Sequence, residues 1–119
     1  MEKMNKAQAG YHILMILSSV DGNTDSREEA VIVDFIKSNF PTTINEKEEK
    51  LKHLQRKPED YAICFNKAME DFYMDSTEHE RVLFLDFAVK LVKADSKITH
   101  EENYFLAQLF DSWEVQTEE

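Results

Sequence analysis

The chain has little of what punctuates a polypeptide: two glycines, two prolines and one cysteine in 119 residues. Few glycines and prolines exclude a loop-rich all-β fold, which needs a tight turn after every short strand. The glycines, at positions 10 and 22, stand too far apart for a glycine-rich phosphate loop. With Cys64 alone no internal disulfide forms, which fits a reducing cytoplasm, the expected location. The setting of Cys64, Tyr61-Ala62-Ile63-Cys64-Phe65, is apolar and predicts a small buried hydrophobe. No neighbour in sequence supplies the positive charge that activates a thiol. Long hydrophobic runs are missing as well. The best one, Tyr11 to Val20, is interrupted by His12, Ser18 and Ser19 and falls short of the about 20 residues that span a bilayer. No targeting segment and no membrane partner are expected.

Positive charge is scarce: 14 Lys and Arg against 24 Asp and Glu give a net charge of −10. Such a surface repels phosphate backbones and argues against a nucleic-acid partner. It favours cations, either metal ions or a basic protein surface. The length predicts one domain, residues 1–119, able to bury a core without disulfides or a structural metal. The four histidines, His12, His53, His79 and His100, show no metal-ligand spacing and are expected at the surface or its boundary. No nucleophile–base set can be argued from the residue order, so the chain is read as a non-enzyme.

What is present is helical periodicity. Ala7, Tyr11, Leu14 and Leu17 mark one face of a first helix, Asn5 to Val20. Val31, Ile32, Phe35 and Ile36 mark a second, Ser26 to Ser38, which Pro41 keeps from continuing. The Glu/Lys-rich stretch Asn45 to Lys57 predicts a short exposed helix anchored by Leu51 and Leu54, its charges forming a solvated face. Pro58 suits the first turn of the next helix, whose buried side is Ala62, Phe65, Met69 and Phe72. Thr77-Glu78-His79-Glu80 is a capping-box pattern opening a helix to Lys93, with Phe84, Phe87, Ala88 and Leu91 inward. Thr99-His100-Glu101-Glu102 is a second such pattern and opens the last helix, with Phe105, Leu106, Leu109, Phe110 and Trp113 on its apolar face. The tail Gln116 to Glu119 is expected to fray. The fold class is therefore all-α, a compact bundle of about six helices.

Two segments repeat one pattern. Val20-Asp21-Gly22-Asn23-Thr24-Asp25-Ser26-Arg27-Glu28 and Ala94-Asp95-Ser96-Lys97-Ile98-Thr99-His100-Glu101-Glu102 each hold an Asp and, seven places on, a Glu. The repeat predicts two pseudo-symmetric helix–turn–helix units with acidic corners. An Asp at the C-terminal end of a helix opposes the macrodipole, at a cost of roughly 0.3–1 kcal/mol if exposed. Doing so at both corners points to a compensating partner. Asp21, Glu28, Asp95 and Glu102 are the candidate metal residues, and hard carboxylate oxygens suit Ca²⁺, Mg²⁺ or Mn²⁺. The competing reading is capping: Asp25 and Thr99 stand where N-caps belong, and Glu28 and Glu102 at the third helical position, where a capping-box Glu reaches back. Recognition of a basic partner is a third. The loops are not EF-hands, because the place of the bidentate Glu falls on Ile32 and on Leu106.

The doubled motif, an Asp-Gly, an aliphatic residue two further and a Glu four after that, resembles the tellurite-resistance TerB family. It also resembles the TerB-like domain of membrane-anchored J-domain co-chaperones, although no His-Pro-Asp triplet of a J-domain is present. The resemblance covers most of the chain. Thr24 stands where the aliphatic residue belongs in the first copy, and Ser96 where the Gly belongs in the second. It implies an all-helical fold and divalent-cation binding by Asp21, Glu28, Asp95 and Glu102, in a stress or metal response. The alternatives are an interaction module without metal and a hydrolase using a carboxylate-held metal.

Overall fold

The computed structural model describes residues 3–19, 26–40, 44–93 and 100–113. Six α-helices and one short 3-10 turn, with no strand among the described residues, make up the chain: α1 (Lys6–Ser19), α2 (Ser26–Asn39), α3 (Glu46–Leu54), the turn Pro58–Asp60, α4 (Tyr61–Asp75), α5 (Glu78–Lys93) and α6 (His100–Trp113). The expected helices are all present, with ends within a few residues of the predicted ones. Asp21, Asp25, Asp95, Thr99, Pro41 and the C-terminal tail lie outside the described residues.

The repeat holds at the level of elements. α5 ends 74 residues after α1 ends, and α6 begins 74 residues after α2 begins. The two hairpins are not equivalent in burial, however. From Ala7 to Ser19 the first helix carries no Asp, Glu, Lys or Arg. A helix without charge on any side has to be covered on every side. α1 is the central rod, packed most extensively on α4 and touched also by α2, α3, α5 and α6. Its buried residues run almost without a break from Ala7 to Ser18, whereas α5 buries only Phe84, Leu85, Ala88 and Val92.

The start of α1 is fixed by polar groups. Asn5 Oδ1 accepts from the Gln8 amide at 2.8 Å while Gln8 Oε1 accepts from the Asn5 amide at 3.0 Å, a reciprocal cap. From α4, Asp71 accepts the Met4 amide and Asp75 the Lys6 amide, each at 3.0 Å. Negative charge at a helix N-terminus is favourable, and Lys67 balances the buried Asp71 at 2.6 Å. The predicted box at α5 forms: Glu80 N–H donates to Thr77 Oγ1 at 3.1 Å and Thr77 N–H to Glu80 Oε1 at 2.9 Å.

Around α1 the core is aromatic. Phe35 of α2 stacks on Phe87 of α5 at 3.9 Å between ring centroids, and Phe72 of α4 stacks on Trp113 of α6 at 5.0 Å. The Trp113 indole N–H donates to the Met69 carbonyl at 3.1 Å, which satisfies its buried polar end. Cys64 is buried, as its apolar setting predicts.

Four details correct the sequence reading. Val31 is 50% exposed and the α2 stripe runs through Ile32, Phe35 and Ile36 instead. Ala62 faces outward, and α4 buries Cys64, Phe65, Ala68, Met69 and Phe72. Leu51 and Leu54, expected to anchor α3, are 56% and 66% exposed. The residues α3 buries are Glu49 and His53, from the stretch expected to be a solvated charged face.

Gly10 is where the bundle closes. A Cβ there would lie 2.9 Å from Ile36 Cδ1 of α2, 3.0 Å from Phe84 Cε2 of α5 and 3.4 Å from Phe72 Cε2 of α4. The Ile36 tip can swing away, and alanine gains about 1 kcal/mol in helix propensity. Gly10→Ala is therefore expected near neutral to slightly destabilising. Gly10→Val adds two methyls between the rings and should cost about 3 kcal/mol. Urea unfolding of both variants checks this, and a Val variant as stable as wild type would show that the three helices do not meet there.

Candidate functional site

Of the four predicted site residues, two are placed. Glu28 is the third residue of α2 and half-buried; Glu102 is the third residue of α6 and only 3% exposed. Both engage other groups and neither is free. They bound six-residue corners, 20–25 and 94–99, that carry Asp21 and Asp95. Each Asp is thus two residues past the end of its first helix, and each Glu in the first turn of its second. Among the described residues no group of three or more His, Cys, Asp and Glu is placed to hold a metal ion.

A second polar centre lies between α1 and α3. His12 and Glu49 are each 1% exposed and His53 is also buried, against the expectation of surface histidines. Glu49, His53 and Arg56 follow at steps of four and three, which places them on one face of α3 and its C-terminal extension, with Leu51 and Leu54 on the opposite face. The facing stripe of α1 is polar too, with Gln8, His12 and Ser19. That pattern, helix-spaced polar groups inside an uncharged helix, is the sequence signal for this centre.

The hydrogen bonds assign the protons. One Arg56 guanidinium nitrogen lies 3.3 Å from His12 Nδ1 and 3.3 Å from His53 Nδ1. A guanidinium only donates, so both Nδ1 atoms accept, and each neutral ring carries its proton on Nε2. His12 Nε2–H then donates to Glu49 Oε1 at 2.8 Å, and His53 Nε2–H to Ser19 Oγ at 2.9 Å. Glu49 also accepts from Gln8 Nε2 at 3.2 Å and has Lys52 at 3.7 Å. Its buried charge is thereby matched, as a buried carboxylate requires. The His53 ring stacks on Tyr61 of α4 at 5.8 Å between centroids.

The titration of these groups follows. Burial, then the charge of Arg56, then His12 push the His53 pKa down to about 4. Burial lowers His12 as well, against the pull of its Glu49 hydrogen bond, with Arg56 adding to the lowering. Burial raises the Cys64 thiol, partly offset by Arg56. Tyr11 is raised by burial and by Glu29, whose carboxylate lies 3.5 Å from its hydroxyl.

An all-helical bundle with two helix pairs in one register, each second helix carrying a first-turn Glu, defines a class of helical module with an internal repeat. Comparison with protein families identifies which. The family model described as tellurite resistance protein TerB matches residues 7–119. The chain belongs to the TerB family. No curated protein and no solved structure matches it. No helix among the described residues is long and apolar enough to cross a membrane.

A histidine whose folded pKa lies below its unfolded value binds fewer protons when folded. Stability is then fully present above the unfolded pKa near 6.5 and is lost as pH falls toward the folded value. For His53, depressed to about 4, the loss between pH 6.5 and 4 amounts to roughly 2–3 kcal/mol, at about 1.4 kcal/mol per pKa unit. Urea midpoints at pH 7.5, 6, 5 and 4.5 should fall in wild type and fall less in His53→Gln. Equal slopes in the two proteins would refute the depressed value.

Proposed function

We propose that this chain is a non-enzymatic, cytoplasmic TerB-like module that binds a divalent cation, Ca²⁺, Mg²⁺ or Mn²⁺, at its acidic corners. Asp21 and Glu28 serve one corner and Asp95 and Glu102 the other, and the same acidic surface meets a basic partner protein in a stress or metal response. The observation carrying this reading is the shared register of the two corners, with Glu28 and Glu102 at the same helical position 74 residues apart. Hard oxygen donors fit those three ions and not a soft metal. A bound ion would offset carboxylates that follow, in sequence, the negative C-terminal ends of α1 and α5.

One observation favours a second reading, a structural interaction module without metal. Thr77 and Glu80 form a reciprocal capping box in this same chain, and Thr99 to Glu102 repeats its spacing. Capping by itself can then occupy Glu102.

Thermal unfolding of metal-stripped protein separates the two. A ligand that binds only the folded state stabilises it by about 2.7 kcal/mol at 100 times its dissociation constant. We expect a saturable rise in Tm with at least one of the three ions, abolished in an Asp21→Asn/Asp95→Asn double variant. No rise with any ion, with the variant as stable as wild type, would leave the metal-free module. Metal-dependent turnover of a phosphoester panel would instead revive a hydrolase.

A further inference from the structure

We propose that the cavity flanked by α1, the C-terminal end of α3 and the start of α4 is a binding site for an organic monocarboxylate with a short apolar body, anchored by Arg56. It does not rest on the metal reading of the acidic corners.

Charge around Arg56 is out of balance. The chain has 24 Asp and Glu residues, yet no carboxylate among the described residues lies within ion-pair distance of Arg56. Among the described residues its hydrogen-bonded side-chain partners are the neutral His12 and His53 rings, both on one terminal nitrogen. Those two bonds use that nitrogen's N–H groups and fix the plane of the guanidinium. The other N–H donors are left for a ligand. A half-buried cation so oriented, without an anion, is the form of a carboxylate anchor, because the planar fork matches two carboxylate oxygens.

The space beside it suits such a ligand. Arg56 lines a cavity of about 550 Å³, within the range of small-molecule sites. Lys52 and Gln55 add donors at its wall, while Met4, Ile63 and Cys64 supply an apolar side. Glu49 and Asp60 also border it. Glu49 is matched by His12, Gln8 and Lys52, and Asp60 is exposed to screening water. Both would oppose an ion of higher negative charge, which favours one carboxylate over phosphate. The apolar wall favours a hydrocarbon body over a small inorganic anion.

The test is titration of the full chain with octanoate, with octanamide as its uncharged match, and with inorganic phosphate, read by amide NMR shifts at Arg56, Ile63 and Cys64. Saturable octanoate binding is expected at these positions, with octanamide and phosphate each at least tenfold weaker. Arg56→Gln should weaken octanoate at least tenfold. Because that change also disturbs the two histidines, Ile63→Asp provides the independent variant. Ile63 is exposed at the cavity wall, so a carboxylate there repels the ligand without touching the network. At least fivefold weaker octanoate binding with an unchanged Tm is expected. Equal binding of octanoate and octanamide, binding of phosphate as tight as octanoate, no octanoate binding at millimolar concentration, or wild-type affinity in Ile63→Asp would each overturn the proposal.

Discussion

The central helix has no charge and no exposed side to spare, and the rest of the bundle is arranged to cover it. Thirteen successive residues of α1 lack Asp, Glu, Lys and Arg. Small residues at Ala7, Ala9 and Gly10 let neighbouring helices approach closely on one half, and large aliphatic residues fill the other. That demand also explains the least expected part of the molecule. His12 and Ser19 lie on this buried rod, and a buried polar atom left without a partner costs on the order of 1–3 kcal/mol. The helix that covers them must bring polar groups, and α3 does so with Glu49, His53 and Arg56. Its leucines consequently face water.

This inversion marks where sequence reading stops. The helices were legible because periodicity and caps are local: the Thr77–Glu80 box depends on residues three apart. Burial of Phe65 and Phe72 in α4, Phe84 in α5 and Phe105 and Trp113 in α6 was legible from the same spacing, whereas Leu85 and Val92 of α5 are buried and its Phe87 and Leu91 only partly so. The inward face of α3 was not, since the rule that leucines point inward assumes an apolar surface opposite. The bond from His12 to Glu49 joins residues 37 apart, and nothing local ties them. The burial of α1 on all sides was visible only as a gap in charge. Of the candidate site, the register of Glu28 and Glu102 was readable from the repeat, while Arg56 was hidden in a run that reads as solvated lysine and glutamate.

Duplication in sequence has produced unequal halves. One copy of the first helix became the core; the other, α5, carries Asp86 and Lys90 along its outer side. Only one of two like helices can occupy the centre of a bundle this small. The corners inherit that inequality. Ser19, the last residue of α1, is held by His53, whereas its counterpart Lys93 is exposed.

Trp113 carries a practical consequence. It is the single tryptophan, it ends α6, and its ring lies flat against Phe72 with its N–H bound to a backbone carbonyl of α4. Indole emission shifts to the red when water reaches the ring. The intrinsic fluorescence of the unlabelled protein is therefore a private signal from the seam between α4 and α6, the helix that begins at the second acidic corner. A change at that corner that loosens α6 would be visible as colour.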